Sequence, residues 1–220
     1  MDRAFTYIKR IPITIVLVLI NVVVFVALEI IGDTQDGLFM LQHGAMNPEE
    51  VLYNHQWYRL FTSMFLHFGG VYLFNNMFLL AVLGQYLEPA LGCVKYLAIY
   101  LFSGLGGSFA SMLYMMVLGD NNISAGASGA IYGIVGGLLI VVLVNRGKFR
   151  GFKTRSILIM LALSLYGGFT GTGTDNAAHI GGLVVGIILT FFLYGIKTII
   201  TLKKLRQYDL ENNFEYIDNK

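Results

Sequence analysis

Five stretches of this 220-residue chain are apolar over the length that a helix needs to cross a bilayer: roughly 11–31, 68–86, 96–118, 125–144 and 177–196. A sixth, 157–169, is shorter. Hydrocarbon about 30 Å thick takes about 20 apolar residues to span. No water reaches the middle of such a segment, so each backbone N–H and C=O must be paired within the helix itself. These runs therefore predict an all-α polytopic membrane protein of six transmembrane helices. The composition agrees: 56% of residues are hydrophobic and 13% charged, against about 25% charged in a soluble domain. The net charge of +2 gives no ground for a nucleic-acid partner. The single cysteine, Cys93, excludes an internal disulfide and a Cys-rich metal site.

The run at 11–31 is too long for the apolar part of a signal peptide, and no small-residue cleavage site follows it, so it reads as a retained first span. Residues 1–10 and 197–220 are too short to bury a core and read as cytoplasmic ends of the unit 11–196. Basic residues choose the orientation. With a cytoplasmic N-terminus, 14 of the 15 Lys and Arg fall inside, and Arg59 alone falls outside. The positive-inside bias then predicts a multi-pass cell-membrane protein with both termini cytoplasmic.

Three loops are expected to face outward. Residues 32–65 form a long one with apolar patches (Leu38-Phe39-Met40-Leu41, Trp57-Tyr58) that do not suit a solvated linker, so it is expected to lie partly in the membrane interface. The second, 119–122, is short. The third, 167–174, is rich in Gly and Thr and is expected to be mobile. The 14 residues between Arg155 and Thr170 span only about 21 Å at 1.5 Å per residue. A short span beside a glycine-rich outer loop is the expected gate. The Lys and Arg of the tail are placed to sit on anionic headgroups, and past Gln207 the tail is expected to be disordered.

Polar groups inside spans are costly and point to function. Four lie in the outer half: Ser128, His179, Asn76 and His67. Counted from the inner helix ends, Ser128 is about 26 Å up, His179 about 27 Å and Asn76 about 18–22 Å. Gly129, Gly133 and Gly137 recur at intervals of four in one span, and Gly182 and Gly186 in another. Such small residues let two backbones approach closely. Facing each other, the two grooves bring the serine and the histidine within reach. An imidazole that takes the hydroxyl proton makes serine a nucleophile. Tyr132, four residues after Ser128, shares its face and is expected to pack beneath the imidazole. Each feature has a plainer reading: glycine stripes as packing, a helix-end histidine as an interfacial group, Asn76 as an interhelical hydrogen bond. Their convergence at one depth favours a site. Asp175, four before His179, stands where a triad acid would, but the plainer reading, that Asp175 or Asn176 caps the helix, is favoured.

These residues resemble the rhomboid family of intramembrane serine proteases, in its basic six-helix bacterial form, over roughly 11–196. Gly126-Ala127-Ser128-Gly129 is similar to the family's GxSG, and Ala178-His179-Ile180-Gly181-Gly182 with Gly186 to its AHxxGxxxG. Trp57-Tyr58-Arg59 resembles its Trp-Arg signature, and Phe65-Leu66-His67 with Asn76-Met77 its second-span motif. The resemblance implies a Ser128–His179 dyad, oxyanion stabilisation by Asn76 and the Ser128 N–H, and a tyrosine support at Tyr132. Gly126 and Gly129 would let the chain pass tightly round the hydroxyl. It implies no metal and no cofactor, single-span membrane proteins as substrates, and cleavage near the outer interface. Tyr72 departs from the pattern, standing where many members have a second oxyanion histidine; its hydroxyl can also donate a hydrogen bond and is a further candidate for the oxyanion. His67 and Ser124 are expected to help line a hydrated cavity, and His43 and His55 to be surface groups. A non-catalytic rhomboid-like scaffold would keep the fold but typically lose the serine or histidine, and a small transporter would carry polar groups through the whole span. The presence of both Ser128 and His179, clustered in the outer half, disfavours these two alternatives.

Overall fold

The computed structural model describes residues 10–170 and 173–205. Expectations that rest on Arg3, Lys9, Gly171, Thr172 and the tail beyond Leu205 fall outside them. Nine helices occur among the described residues: α1 (Pro12–Ile31), α2 (Gly37–Gln42), α3 (Pro48–Leu52), α4 (Arg59–Thr62), α5 (Gly70–Leu91), α6 (Cys93–Leu118), α7 (Ser128–Val144), α8 (Thr154–Thr170) and α9 (Asn176–Thr190). A π-helical segment, Phe191–Gly195, carries α9 on to Leu205. Strands β1 (Lys148–Phe149) and β2 (Phe152–Lys153) form a hairpin between α7 and α8.

Among the described residues, four helices are long and apolar enough to cross a membrane: α1, α5, α6 and Asn176–Leu205. The other two expected spans are shorter apolar helices. The span expected at 125–144 starts three residues late, at Ser128. Gly126 has φ +140°, which a right-handed helix cannot accommodate, so the chain enters α7 from an extended turn. The span expected at 157–169 is longer, because α8 begins at Thr154 and runs through residues 167–170, expected to be outer loop. At 17 residues each, α7 and α8 reach only about 25 Å.

The helices α7 and α9 sit at the centre. A methyl group on Gly182 would overlap the Gly129 carbonyl, and one on Gly186 the Gly133 carbonyl. Contacts therefore advance by four on both helices together, so α7 and α9 run side by side in the same direction. Gly107 of α6 closes on the Ala178 carbonyl from the third side. The helix α1 is joined to the bundle by a carboxylate. Glu88, buried near the C-terminal end of α5, accepts hydrogen bonds from the Ile13 and Thr14 N–H groups, both at 2.8 Å, and from the Thr14 hydroxyl at 2.7 Å. Two of the free N–H donors at the start of α1 are thus satisfied from another helix.

The long first loop folds as a unit. Met40, Ala45 and Leu66 pack with Leu28 of α1, and Met46 and Val51 with Met112 of α6. Arg59, the one basic residue assigned to the outer side, is buried here and donates to the carbonyls of Leu41 (2.5 Å) and Ala45 (2.9 Å). Trp57 and Tyr58 stay exposed, as interfacial aromatics do. His43 and His55 are exposed.

Candidate active site

Ser128 is the first residue of α7, where backbone N–H groups have no partner four residues back. The turn before it brings three groups to one place. A point one bond from the Gly126 Cα lies 3.7 Å from the Ser128 Oγ, 3.8 Å from the Asn76 Nδ2 and 3.9 Å from the Ser128 N. A hydroxyl, an amide donor and a free N–H therefore converge beside a residue that has no side chain. Gly126 is held there by its own N–H, which donates to the Ser63 carbonyl at 2.9 Å. The Asn76 amide nitrogen is buried and has no hydrogen-bond partner among the described residues. Buried donors are seldom left unpaired, and an exception asks for an explanation.

His179 lies in the first turn of α9. The glycine register sets Ala178 against Gly129, and so His179 beside Ser128. Its ring stacks on Tyr132 with centroids 4.1 Å apart and planes 12° from parallel, the packing expected from sequence spacing. The Tyr132 hydroxyl hydrogen-bonds Ser164 of α8, a contact the sequence did not suggest. Among the described residues no hydrogen bond joins Ser128 to His179, although both line one cavity. In apo structures such bonds are often long and tighten only around substrate.

Asp175 is the N-cap of α9: its Oδ1 accepts from the Ala178 N–H at 2.9 Å. Its Oδ2 accepts from Ser124 at 2.5 Å and from Ser111 of α6. The carboxylate thus braces the histidine helix against α6 and the loop before α7, and among the described residues it makes no hydrogen bond to the imidazole. Ser124 also bridges Met46 in the first loop, with N–H to carbonyl distances of 2.8 and 2.9 Å. Of this brace, sequence spacing indicated only the cap.

The open cavity holds about 1550 Å³, and Ser128, His179, Asn76, Tyr132, Ser124 and Tyr72 are on its walls. His67 is not among its lining residues. It is fully buried. Burial pushes its imidazole down to about 4, so it is neutral at physiological pH. Tyr72 is half-exposed, and its hydroxyl donates to the Gly173 carbonyl at 2.8 Å, across the cavity mouth. No group of three or more His, Cys, Asp or Glu suited to a metal occurs among the described residues.

A hydroxyl and an imidazole on one cavity wall, with two hydrogen-bond donors beside them, suit acyl transfer. Comparison with known proteins points the same way. The Rhomboid domain family matches residues 54–196. The rhomboid protease GluP of Bacillus subtilis (strain 168) is 34% identical over 173 residues, covering 79% of this chain and 33% of that protein. RHOMBOID-like protein 6, mitochondrial, of Arabidopsis thaliana is 38% identical over 152 residues, covering 68% and 48%. The chain thus spans half or less of the length of these two. The rhomboid protease AarA of Providencia stuartii is 32% identical over 203 residues, covering 82% of this chain and 72% of that protein. With four membrane-length helices and this match over most of its length, the chain is a multi-pass membrane protein that belongs to the rhomboid family.

Proposed function

We propose that the protein is an intramembrane serine endopeptidase that cuts single-span membrane proteins near the outer interface. The observation that carries this reading is the convergence of the Ser128 Oγ, the Ser128 N–H and the Asn76 amide on one point beside Gly126, with His179 stacked on Tyr132 in the same cavity. Ser128 attacks the scissile carbonyl while His179 takes its proton. The tetrahedral oxyanion is held by the Ser128 N–H and Asn76. His179 then protonates the leaving amine, and water hydrolyses the acyl-enzyme by the same route. Tyr132 keeps the imidazole in its plane. Gly129, Gly182 and Gly186 keep α7 and α9 close enough for the dyad.

The catalytic unit is residues 11–196, built of six spans with α7 and α8 as the two short ones, and with the first loop partly embedded. Both termini lie in the cytoplasm and the cavity opens outward. The basic residues at the inner helix ends support that orientation. A substrate helix must unwind to be cut, because its peptide bonds are otherwise shielded within the helix.

Two experiments test the reading. A fluorophosphonate should label the wild type and not Ser128→Ala, and equal labelling of both removes Ser128 as nucleophile. Cleavage of a membrane-tethered reporter should be lost in His179→Ala at unchanged expression. Cleavage retained there removes the dyad.

A further inference from the structure

The hairpin that joins α7 to α8 carries charge that no described residue neutralises. Its strands pair around Arg150-Gly151, whose φ values of 45° and 92° suit a two-residue turn with both central residues left-handed. The register sets Phe149 opposite Phe152 and Lys148 opposite Lys153. Side chains alternate along a strand, so the phenylalanines share one face and the lysines the other. The phenylalanine face is anchored: both rings are half-buried, and Phe152 meets Tyr86 of α5 edge-on at 4.7 Å. The lysine face therefore points away from the protein. Like charges directly opposite on paired strands are destabilising. Arg146, Arg150 and Arg155 add three exposed cations, and residues 146–155 contain no acid. Among the described residues, none of these five cations has an ion-pair partner.

Location supplies the second observation. The hairpin follows the C-terminus of α7, about 25 Å from Ser128 at its start. The excess of basic residues at that end assigns it, by charge, to the cytoplasmic headgroups.

We propose that Lys148 and Lys153 form a seat for the phosphate of an anionic phospholipid headgroup. Two ammonium groups across a strand pair can share one phosphodiester, which turns their mutual repulsion into a bridged contact. A general excess of positive charge on the inner side accounts for cations at this end. It does not account for two lysines held in register on a hairpin whose other face is anchored by aromatic packing. A lipid seated there would hold the junction from which the short helix α8 starts. The inference needs only that the chain lies in a bilayer, so it stands or falls separately from the protease reading.

The test compares binding of spin-labelled phosphatidylglycerol and phosphatidylcholine to the full chain in nanodiscs, with circular dichroism as the check of folding. The wild type should prefer phosphatidylglycerol. Lys148→Gln/Lys153→Gln should lower that preference about five-fold or more, the scale of one headgroup contact per lysine. Lys197→Gln/Lys203→Gln removes equal charge from the tail, whose cations also meet anionic headgroups but are not paired across a hairpin, and should lower the preference by a clearly smaller factor than the hairpin pair does. If the double hairpin variant fails to fold, each single substitution should still weaken the preference more than the Lys197/Lys203 pair. Equal losses from the two pairs would reduce the effect to diffuse electrostatics and overturn the seat. So would a preference that appears only after removal of 206–220, because the acidic groups of the tail (Asp209, Glu211, Glu215, Asp218) would then be the occupants.

Discussion

At the scale of single residues, the site is built as much by what is missing as by what is present. Gly126 has no side chain at the point where Ser128 and Asn76 converge, and its φ of +140° also disfavours any other residue. With Asn76→Ala, the cavity loses one of the two donors proposed to hold the oxyanion. Reporter cleavage should fall about 10²–10³-fold in kcat with little change in KM. Tyr72 is different: its one hydroxyl proton is engaged by the Gly173 carbonyl. Tyr72→Phe should therefore keep the rate of fluorophosphonate labelling of Ser128 within about three-fold, far from the loss of an oxyanion donor. His67 gives a pH dependence. Its folded value of about 4 lies below the ordinary 6.5, so it is neutral in the folded protein while the unfolded chain takes up a proton first. Its contribution to stability is full above pH 6.5 and is lost as the pH falls from there towards 4. Thermal unfolding in detergent should show this acid loss, and His67→Gln should make it shallower.

At the scale of elements, the glycine grooves decide which helices touch. The contact between Gly182 and Gly129 is backbone against backbone, so no flexible side chain can move aside. Gly182→Ala must push α7 and α9 apart, at a cost of about 1–3 kcal/mol, and so separate Ser128 from His179. Both the unfolding temperature and the labelling rate should fall. Alanine at Gly92, which has no neighbour within 4 Å but a φ of +83°, is the control: it should cost stability through strain and leave the labelling rate of the folded fraction unchanged. The intervals of four were readable in the sequence, and so was the shared depth of Ser128 and His179. The start of α7 was not. A run of small apolar residues looks helical throughout, and only the turn geometry at Gly126 shows that the helix waits for Ser128. Likewise α8 extends over glycines and threonines that alone suggest a loop. Local propensity is a weak prior that tertiary context overrides.

For the whole molecule, the distribution of basic residues argues for one orientation, and Cys93 offers a direct measurement. It is a free, exposed cysteine at the start of α6, at the end of the bundle opposite the cavity. A membrane-impermeant maleimide should label it only from the cytoplasmic side. In a Cys93→Ser background, Thr174→Cys, at the cavity rim, should be labelled only from the outside. The reverse pattern would invert the topology.

By itself, the sequence determined that the chain lives in a bilayer, where its apolar runs lie, and which serine, histidine and asparagine share a depth. Those properties follow from hydrophobicity and from the fixed rise of a helix, both of which are local. Tertiary structure alone decided that the Asn76 amide and the Ser128 N–H meet beside Gly126. It also decided that Asp175 braces α9 through Ser111 and Ser124, that Ser164 reaches Tyr132, and that Lys148 faces Lys153. Each of these joins residues on different elements, or depends on a turn or a register. Such contacts are set by how helices and strands pack, which no count along a single strand of sequence contains.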